Sequence, residues 1–369
     1  MPDKDSRDAK WFLRRMPDPD VLKRVLKDDP VDRLLTTTRS RAIVIGGDDL
    51  MPKQSADEQA VAAMLNTAIA AAKRLASDPA TKLSDDEKVA LDLFTLLLSR
   101  PAMLIKGGRV HEDPENWPEV FADAELIKPV IAGVGRIELA DKFKIGTGFV
   151  VGDKRILTNN HVVCGLFELN PMAWRNTRPA FEATMKAYNK SWSDMPDTRP
   201  RFEMVGEFGS EKTNAVRINR VLGSHQKVDM AVIELDAVPN KAQRVTLATE
   251  QPTTFKGHRV YAVGYPVADS QMKPAPLPIL RRVFGQDETL GMKRFSPGTI
   301  MDWENELLFH HDASTLRGSS GSCIVTFDDH RVVGLHFAGS YSEHNNAVPL
   351  WKFRKDLLLT GNGVLFGEE

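Results

Sequence analysis

The feature that most constrains the fold is a set of short apolar runs broken by glycine turns, clearest between Gly146 and His161. Gly146-Thr-Gly-Phe-Val-Val151 and Arg155-Ile-Leu-Thr158 flank a Gly152-Asp153 turn, and the second run leads into Asn159-Asn160-His161. Two such runs joined by a short glycine turn read as a hairpin. Val134-Gly-Arg-Ile-Glu-Leu139 is the expected first strand, and more short strands with glycine turns follow it. That pattern suggests a β-barrel or sandwich rather than a βαβ array.

The chain ahead of this region reads differently. Asp18-Pro19 precedes Val21, Leu22, Val25 and Leu26, a short amphipathic helical stretch. Arg41-Ala-Ile-Val-Ile45 reads as an isolated strand. Ser55-Ala-Asp-Glu58 is a capping box, and Val61, Met64, Leu65, Ala68, Ile69, Ala72 and Leu75 after it fall on one helical face. Ser84-Asp-Asp-Glu87 repeats the signal and opens a second helix through Leu98, which Arg100-Pro101 ends. The two helices are expected to pair antiparallel. Met103 to Val110 reads as a hairpin, and Pro114 to Pro118, around Trp117, as a linker with an anchoring aromatic. The expected organisation is a mostly helical region over 1–125 and a β-rich region over 128–369, with a helical insertion over about 167–201. That insertion carries Trp174, Phe181, Met185, Tyr188 and Trp192, an aromatic stripe expected to serve local packing. A second long loop, from about Tyr265 to Pro297, holds Pro266, Pro274, Pro276 and Pro278, then Arg281-Arg282 and Lys293-Arg294. The plain reading of its charges is a solvated loop.

The chemistry gathers in His311-Asp-Ala-Ser-Thr-Leu-Arg-Gly-Ser-Ser-Gly-Ser-Cys323. A serine between glycines ahead of an apolar run is a candidate nucleophile, here Ser320. The glycines allow a tight turn that bares backbone amides, and those of Gly318 and Ser320 could converge on an oxyanion. A serine hydroxyl needs a base, and the base an orienting carboxylate. His161 ends the hairpin, and Asp229 opens the alternating strand Met230-Ala-Val-Ile-Glu-Leu235. The order is histidine, aspartate, serine.

These three blocks resemble the signature blocks of chymotrypsin-like serine proteases, and most closely those of bacterial trypsin-like peptidases. The resemblance covers about residues 130 to 355. It implies two six-stranded β-barrels with a cleft between them, preceded here by the α-helical N-terminal region. It implies a serine endopeptidase in which His161, Asp229 and Ser320 are catalytic and Gly318 and Ser320 form the oxyanion hole. The strand carrying Phe337, Ala338 and Gly339 would pair with substrate backbone. Two positions depart from the usual pattern: Cys323 stands where proline is common, and Ser319 where Asn or Asp is common. No aspartate lies six residues before the serine; that place is Ser314, so a preference for Lys or Arg lacks its counter-charge. Thr315, followed later by Gly334-Leu-His336-Phe-Ala-Gly339, resembles glutamyl endopeptidases and the chymotrypsin-like cysteine proteases of small RNA viruses. The matching threonine and histidine bind Glu or Gln there, so cleavage after Glu, Gln or Asp is expected. A hydroxyl and an imidazole can both donate to a side-chain carbonyl.

Other classes fit poorly. The net charge of −1 offers no bulk field for nucleic acid or membrane. No apolar run reaches membrane-spanning length and the first residues show no signal core, so a cytoplasmic protein is expected. Adjacent strand residues point to opposite faces, which argues against a metal held by His310 and His311. No cofactor is expected, since no glycine-rich turn opens a helix in a βαβ unit. An α/β-hydrolase needs the order serine, aspartate, histidine, which is absent. The two cysteines, Cys164 and Cys323, read as buried free thiols. The expected partners are a protein or peptide substrate and a regulatory protein at the N-terminal helices. The competing class is a protease-fold scaffold that binds proteins without turnover.

Overall fold

The computed structural model describes residues 9–16, 22, 56–111, 116–267, 284, 290–339 and 344–367. The capping box at Ser55, the strand at Arg41 and most of the proline-rich loop lie outside the described residues, as does the stretch after Asp18 apart from Leu22.

Three helices open the described chain: α1 (Ala9–Arg15), α2 (Ala56–Ser77) and α3 (Asp85–Leu98). The apolar stripe of α2 is buried at Val61, Leu65, Ala68, Ile69, Ala72 and Leu75, as its spacing requires. Ser84 caps α3 as read: its hydroxyl accepts from the Glu87 amide at 3.2 Å, and the Glu87 carboxylate accepts from the Ser84 amide at 2.9 Å. The helices share one apolar cluster with Phe12, Phe94 and Leu97 at its centre. Leu316, from just before the candidate nucleophile, belongs to it.

Strands β1 (Met103–Lys106) and β2 (Arg109–Val110) form the expected hairpin. It does not stand apart: Met103 pairs with Phe295 and Leu104 with Arg294 on a barrel strand. Helices α4 (Glu119–Ala122) and α5 (Ala124–Gly133) follow. Trp117 is 2% exposed, stacks on Phe327 at 5.6 Å between centroids and donates to the Ser99 carbonyl at 2.9 Å. Residues ahead of the expected 125–128 boundary therefore pack into the β-rich body.

The first barrel is closed by β3 (Val134–Glu138), β4 (Lys144–Gly152), β5 (Arg155–Thr158), β6 (Arg201–Glu203), β7 (Ala215–Ser224) and β8 (Ala231–Leu235), in the order β3-β4-β5-β8-β7-β6. After β5 come α6 (Asn160–Leu166), α7 (Ala173–Asn176) and α8 (Arg178–Asp194). The last two are the helical insertion. Its aromatics serve packing: Phe167 lies 4.8 Å from Tyr188 and 5.6 Å from Trp192, inside the cluster that fills this barrel.

The second barrel comprises β9 (Arg259–Gly264), β10 (Arg294–Asn305), β11 (Leu308–His311), β12 (Cys323–Thr326), β13 (Val332–Gly339) and β14 (Asn345–Pro349). Its order is β11-β14-β13-β12-β9-β10, closed by β10–β11 pairing, with β1 and β2 appended to β10. Both six-stranded barrels are antiparallel throughout. A shared apolar cluster joins them. A last short helix, α9 (Leu357–Thr360), precedes a tail whose Leu365 amide returns to the Val151 carbonyl at 3.2 Å.

One expectation is overturned in the long loop. The sequence predicts Lys293 and Arg294 to be solvated, but they are 1% and 3% exposed. Lys293 Nζ donates to the carbonyls of Ile131 at 3.0 Å and Met204 at 2.5 Å, tying α5 and the first barrel to the second. Burial lowers its pKa to about 8, with the nearby Glu207 and Glu203 opposing. A lysine stem is apolar enough to be interred when its head finds such acceptors, and its sequence gives no sign of that.

Candidate active site

His161 sits in the first turn of α6, directly after β5. Asp229 sits just ahead of β8, in the turn from β7. The paired neighbours β5 and β8 bring the two together, with Thr158 opposite Ala231. The Asp229 carboxylate uses both oxygens: Oδ2 lies 2.6 Å from His161 Nδ1, and Oδ1 accepts from the His161 amide at 3.0 Å. Ring and backbone are thus oriented by one group, leaving Nε2 as the ring's outward nitrogen. The supports are asparagines that sequence reasoning missed. Asn159 Nδ2 donates to the Asp229 carbonyl at 2.8 Å, and Asn160 Nδ2 to those of His225 at 3.0 Å and Val228 at 3.1 Å.

Ser320 lies in the turn entering β12, between Gly318 at φ +84° and Gly321 at φ +91°. A Cβ on Gly321 would lie 1.8 Å from the Thr147 carbonyl oxygen, so glycine is required there on both counts. Two barrels grip the turn. From β4, the Thr147 amide donates to the Ser320 carbonyl at 2.8 Å and the Thr147 hydroxyl to the Gly318 carbonyl at 2.7 Å. From β13, the His336 carbonyl accepts from the Gly321 amide at 2.9 Å. The amides of Ser319, Gly321 and Ser322 are used within the fold. Among the described residues, those of Gly318 and Ser320 donate to no protein group. Two free amides, one on a half-buried serine and one two residues before it, are what oxyanion binding needs. The Ser320 hydroxyl itself donates to the Phe337 carbonyl at 3.4 Å. Among the described residues it makes no bond to His161. The two half-sites nonetheless meet: a Cβ on Gly146 would lie 2.7 Å from Val162 Cγ2 and 3.2 Å from the Ser320 carbonyl oxygen.

The expected pocket residues fall on one end of the second barrel. Thr315 Oγ1 donates to Asn345 Oδ1 at 2.7 Å, and Asn345 Nδ2 to the Ala313 carbonyl at 2.7 Å. Gly339 pairs with Asn345 and His336 with Ala347. Ala338 pairs with Asn346 across a register shift that leaves Phe337 unpaired. His336 is 2% exposed, and its Nδ1 lies 3.2 Å from Nε2 of fully buried His311. Burial, then the neighbouring His311 and His161, hold the His336 pKa well below its ordinary value, against a hydrogen bond that its ring donates to the Asn346 backbone. Burial lowers that of His311 to about 3. Asn345 and His311 are pocket supports that the sequence reading missed. His310 faces elsewhere, with Nε2 3.2 Å from Glu304 and its ring stacked on His344 at 3.6 Å. The thiols are buried in separate clusters, and burial raises Cys164 to about 11 and Cys323 to about 12. Among the described residues no helix is long and apolar enough to cross a membrane.

Comparison with known proteins places this arrangement. Residues 146–335 match the family model of the trypsin-like peptidase domain, a span that runs from the β4 glycine to β13. A probable serine protease of Lysobacter enzymogenes is 26% identical over 317 residues, 76% of this chain and 77% of the relative. Among solved structures, an inactive form of the Rv3671c protease of M. tuberculosis H37Rv aligns at 17% identity with a TM-score of 0.39, covering 66% of this chain and 94% of that one. Mouse neuropsin, a serine protease expressed in the limbic system, aligns at 13% identity with a TM-score of 0.41, covering 63% and 96%. The matched span holds both barrels' site-bearing strands and more than half the chain, and on it the chain belongs to the trypsin-like peptidase family and is a serine-type peptidase.

Proposed function

We propose that the protein is a serine endopeptidase in which Ser320, His161 and Asp229 act as the triad and the Gly318 and Ser320 amides bind the oxyanion. The observation that carries this reading is the two-oxygen hold of Asp229 on His161, beside a serine whose own amide, with that of Gly318, donates to no protein group among the described residues. Ser320 Oγ attacks the scissile carbonyl carbon while His161 Nε2 takes its proton. The oxygen becomes an oxyanion and is held by the two amides. The C–N bond then breaks, and the leaving amine takes the proton from His161. Water, deprotonated by the same nitrogen, attacks the acyl-enzyme, and Ser320 leaves with that proton restored. Asp229 keeps Nδ1 protonated and stabilises the imidazolium.

The reading extends to cleavage after Glu, Gln or Asp. Ser314, the position where a counter-charge for Lys or Arg would sit, donates instead to the Arg100 carbonyl at 2.5 Å. A buried imidazole kept neutral suits a hydrogen bond to a side-chain carbonyl, and unfilled donors reject apolar side chains.

A fluorophosphonate probe followed by peptide mapping tests the triad. Label on Ser320, lost in His161→Ala and retained in Ser319→Ala and Ser322→Ala, supports it. The competing scaffold reading draws on the unformed Ser320–His161 bond, and complete absence of label would favour it. A peptide library cut chiefly after Arg, Lys or large apolar residues would remove the pocket assignment and leave the triad standing.

A further inference from the structure

We infer that Arg100, at the C-terminal exit of the N-terminal helices, is a positioning residue for the segment that forms the oxyanion-binding turn and the pocket wall. The helical region would then be a working part of the catalytic site rather than an attachment to it. This rests on the assignment of Ser320 as nucleophile.

The segment from Asp312 to Leu316 alternates. Side chains at 312, 314 and 316 face the N-terminal region, while 313 and 315 face the second barrel. Arg100 Nε lies 2.8 Å from Asp312 Oδ1, and Nη2 donates to Oδ2 at 2.8 Å; the two side chains are 6% and 2% exposed. Asp312 Oδ1 also accepts from the Thr299 amide at 2.6 Å. Ser314 donates to the Arg100 carbonyl, so one residue holds two alternate positions, one with its guanidinium and one with its backbone. Leu316 is buried in the helices' apolar cluster. On the opposite face, Ala313 is buried in the second barrel's cluster and Thr315 bonds to Asn345. Two residues after Leu316 comes Gly318, whose amide is one of the two left free.

The segment is therefore a strip held from behind by the helical region, with its front forming the pocket wall and its end presenting an amide. The Arg100 guanidinium is itself braced, donating to the Ser99 carbonyl at 2.7 Å and lying 5.4 Å from the Trp117 ring centroid. Burial raises the Asp312 carboxyl, but the charge and hydrogen bond of Arg100, the charge of Arg15 and the Thr299 amide together hold its pKa below the ordinary value. A planar guanidinium that donates to one carboxylate oxygen through Nη2 and sets Nε against the other, without a hydrogen bond there, fixes orientation as well as distance, which a lysine ammonium does not do. Losing it frees the strip to shift, and a displacement near an ångström in such a site costs on the order of 10²-fold in rate.

The test uses the full chain and compares wild type with Arg100→Met, Arg100→Lys, Ser314→Ala and Leu316→Ala. Active sites are titrated with the fluorophosphonate, so that turnover is expressed per competent serine. Peptides that differ only in Gln or Ala before the scissile bond give kcat and KM separately. The expected result for Arg100→Met is a fall in per-site kcat on the order of 10²-fold, with the preference for Gln over Ala reduced. Arg100→Lys should recover part of both. Ser314→Ala and Leu316→Ala, each removing one contact, should lower per-site kcat several-fold. A purely structural role would lower the titratable fraction or the melting temperature and leave per-site kcat and the Gln-to-Ala ratio unchanged, which overturns the proposal. If Arg100→Met does not fold, unchanged per-site values in the two milder variants overturn it equally. If wild type neither labels at Ser320 nor cleaves, the nucleophile assignment has failed, and that outcome is distinct from a labelled wild type matched by its variants.

Discussion

The proposed base and the proposed nucleophile are held in opposite ways. His161 and Asp229 are fastened inside the first barrel by their own neighbours: two paired strands, one carboxylate and two adjacent asparagines. Ser320 is fastened by distant parts of the chain. Thr147 reaches it from the other barrel, His336 from β13, and Arg100 acts on its approach from outside both barrels. The base half is contained within one barrel. The nucleophile half exists only when the rest of the molecule is in place, so damage far from it should be felt there first.

The largest expected effect removes the nucleophile itself. Ser320→Ala should lower kcat by about 10⁶-fold, with only oxyanion and binding contributions left. Thermal unfolding should be nearly unchanged, because a half-exposed hydroxyl with one 3.4 Å bond contributes little. Activity surviving in Ser320→Ala but lost in Ser319→Ala or Ser322→Ala would move the nucleophile to another serine. On the base side, Asp229→Asn should cost about 10⁴-fold in kcat, since an amide favours the wrong tautomer at Nδ1. Kinetics at saturating substrate measure this, and a loss under tenfold would show that the two-oxygen hold does not orient the ring.

The next effect separates the barrels by pH. His311 is buried neutral, with its pKa lowered to about 3 in the fold against 6.5 for the free side chain. The unfolded chain takes up that proton first on acidification. Stability from this group is therefore fully present above about 6.5 and is lost as pH falls towards about 3, by up to about 5 kcal/mol. Urea unfolding followed across that range should show a steeper acid loss in wild type than in His311→Asn. Identical slopes would mean that the pair with His336 carries no such linkage. The smallest effect tests the seam. Thr147→Val keeps the shape but deletes the hydroxyl's bonds to the Gly318 carbonyl and from the Tyr265 amide. A loss of about 1–3 kcal/mol in unfolding free energy is expected from the unpaired groups, with kcat down about tenfold. Unchanged kcat would indicate that barrel two holds the turn without help from barrel one.

The same division explains what the sequence revealed. Strand alternation, glycine turns and the capping box at Ser84 are local, and a β-rich body and α3 follow from them, while the two six-stranded barrels are implied by the family resemblance. His161, Asp229 and Ser320 stand out because each lies inside a short block with its own punctuation. The supports of Ser320 are invisible for the same reason in reverse. Thr147 reads as one more strand residue, since its partner lies 171 positions away. Asn345 follows a stretch with no motif, yet it links Thr315 to Ala313. Arg100 reads only as the residue before a helix-ending proline. Lys293 and Arg294 read as loop charges, because no periodicity announces that a cation will find carbonyls in the interior.

The Thr147 seam also sets an order in time. Contacts between residues so far apart form late, since the loop between them must close first. Chains fold roughly from the N-terminal side as they are synthesised. The first barrel, with its histidine and aspartate, can assemble before β13 and β14 exist to grip the turn around Ser320. On the proposed triad, hydrolytic competence then arrives last, after the polypeptide has paired its own extended segments in strands, and a nascent chain carries the base before its nucleophile is shaped.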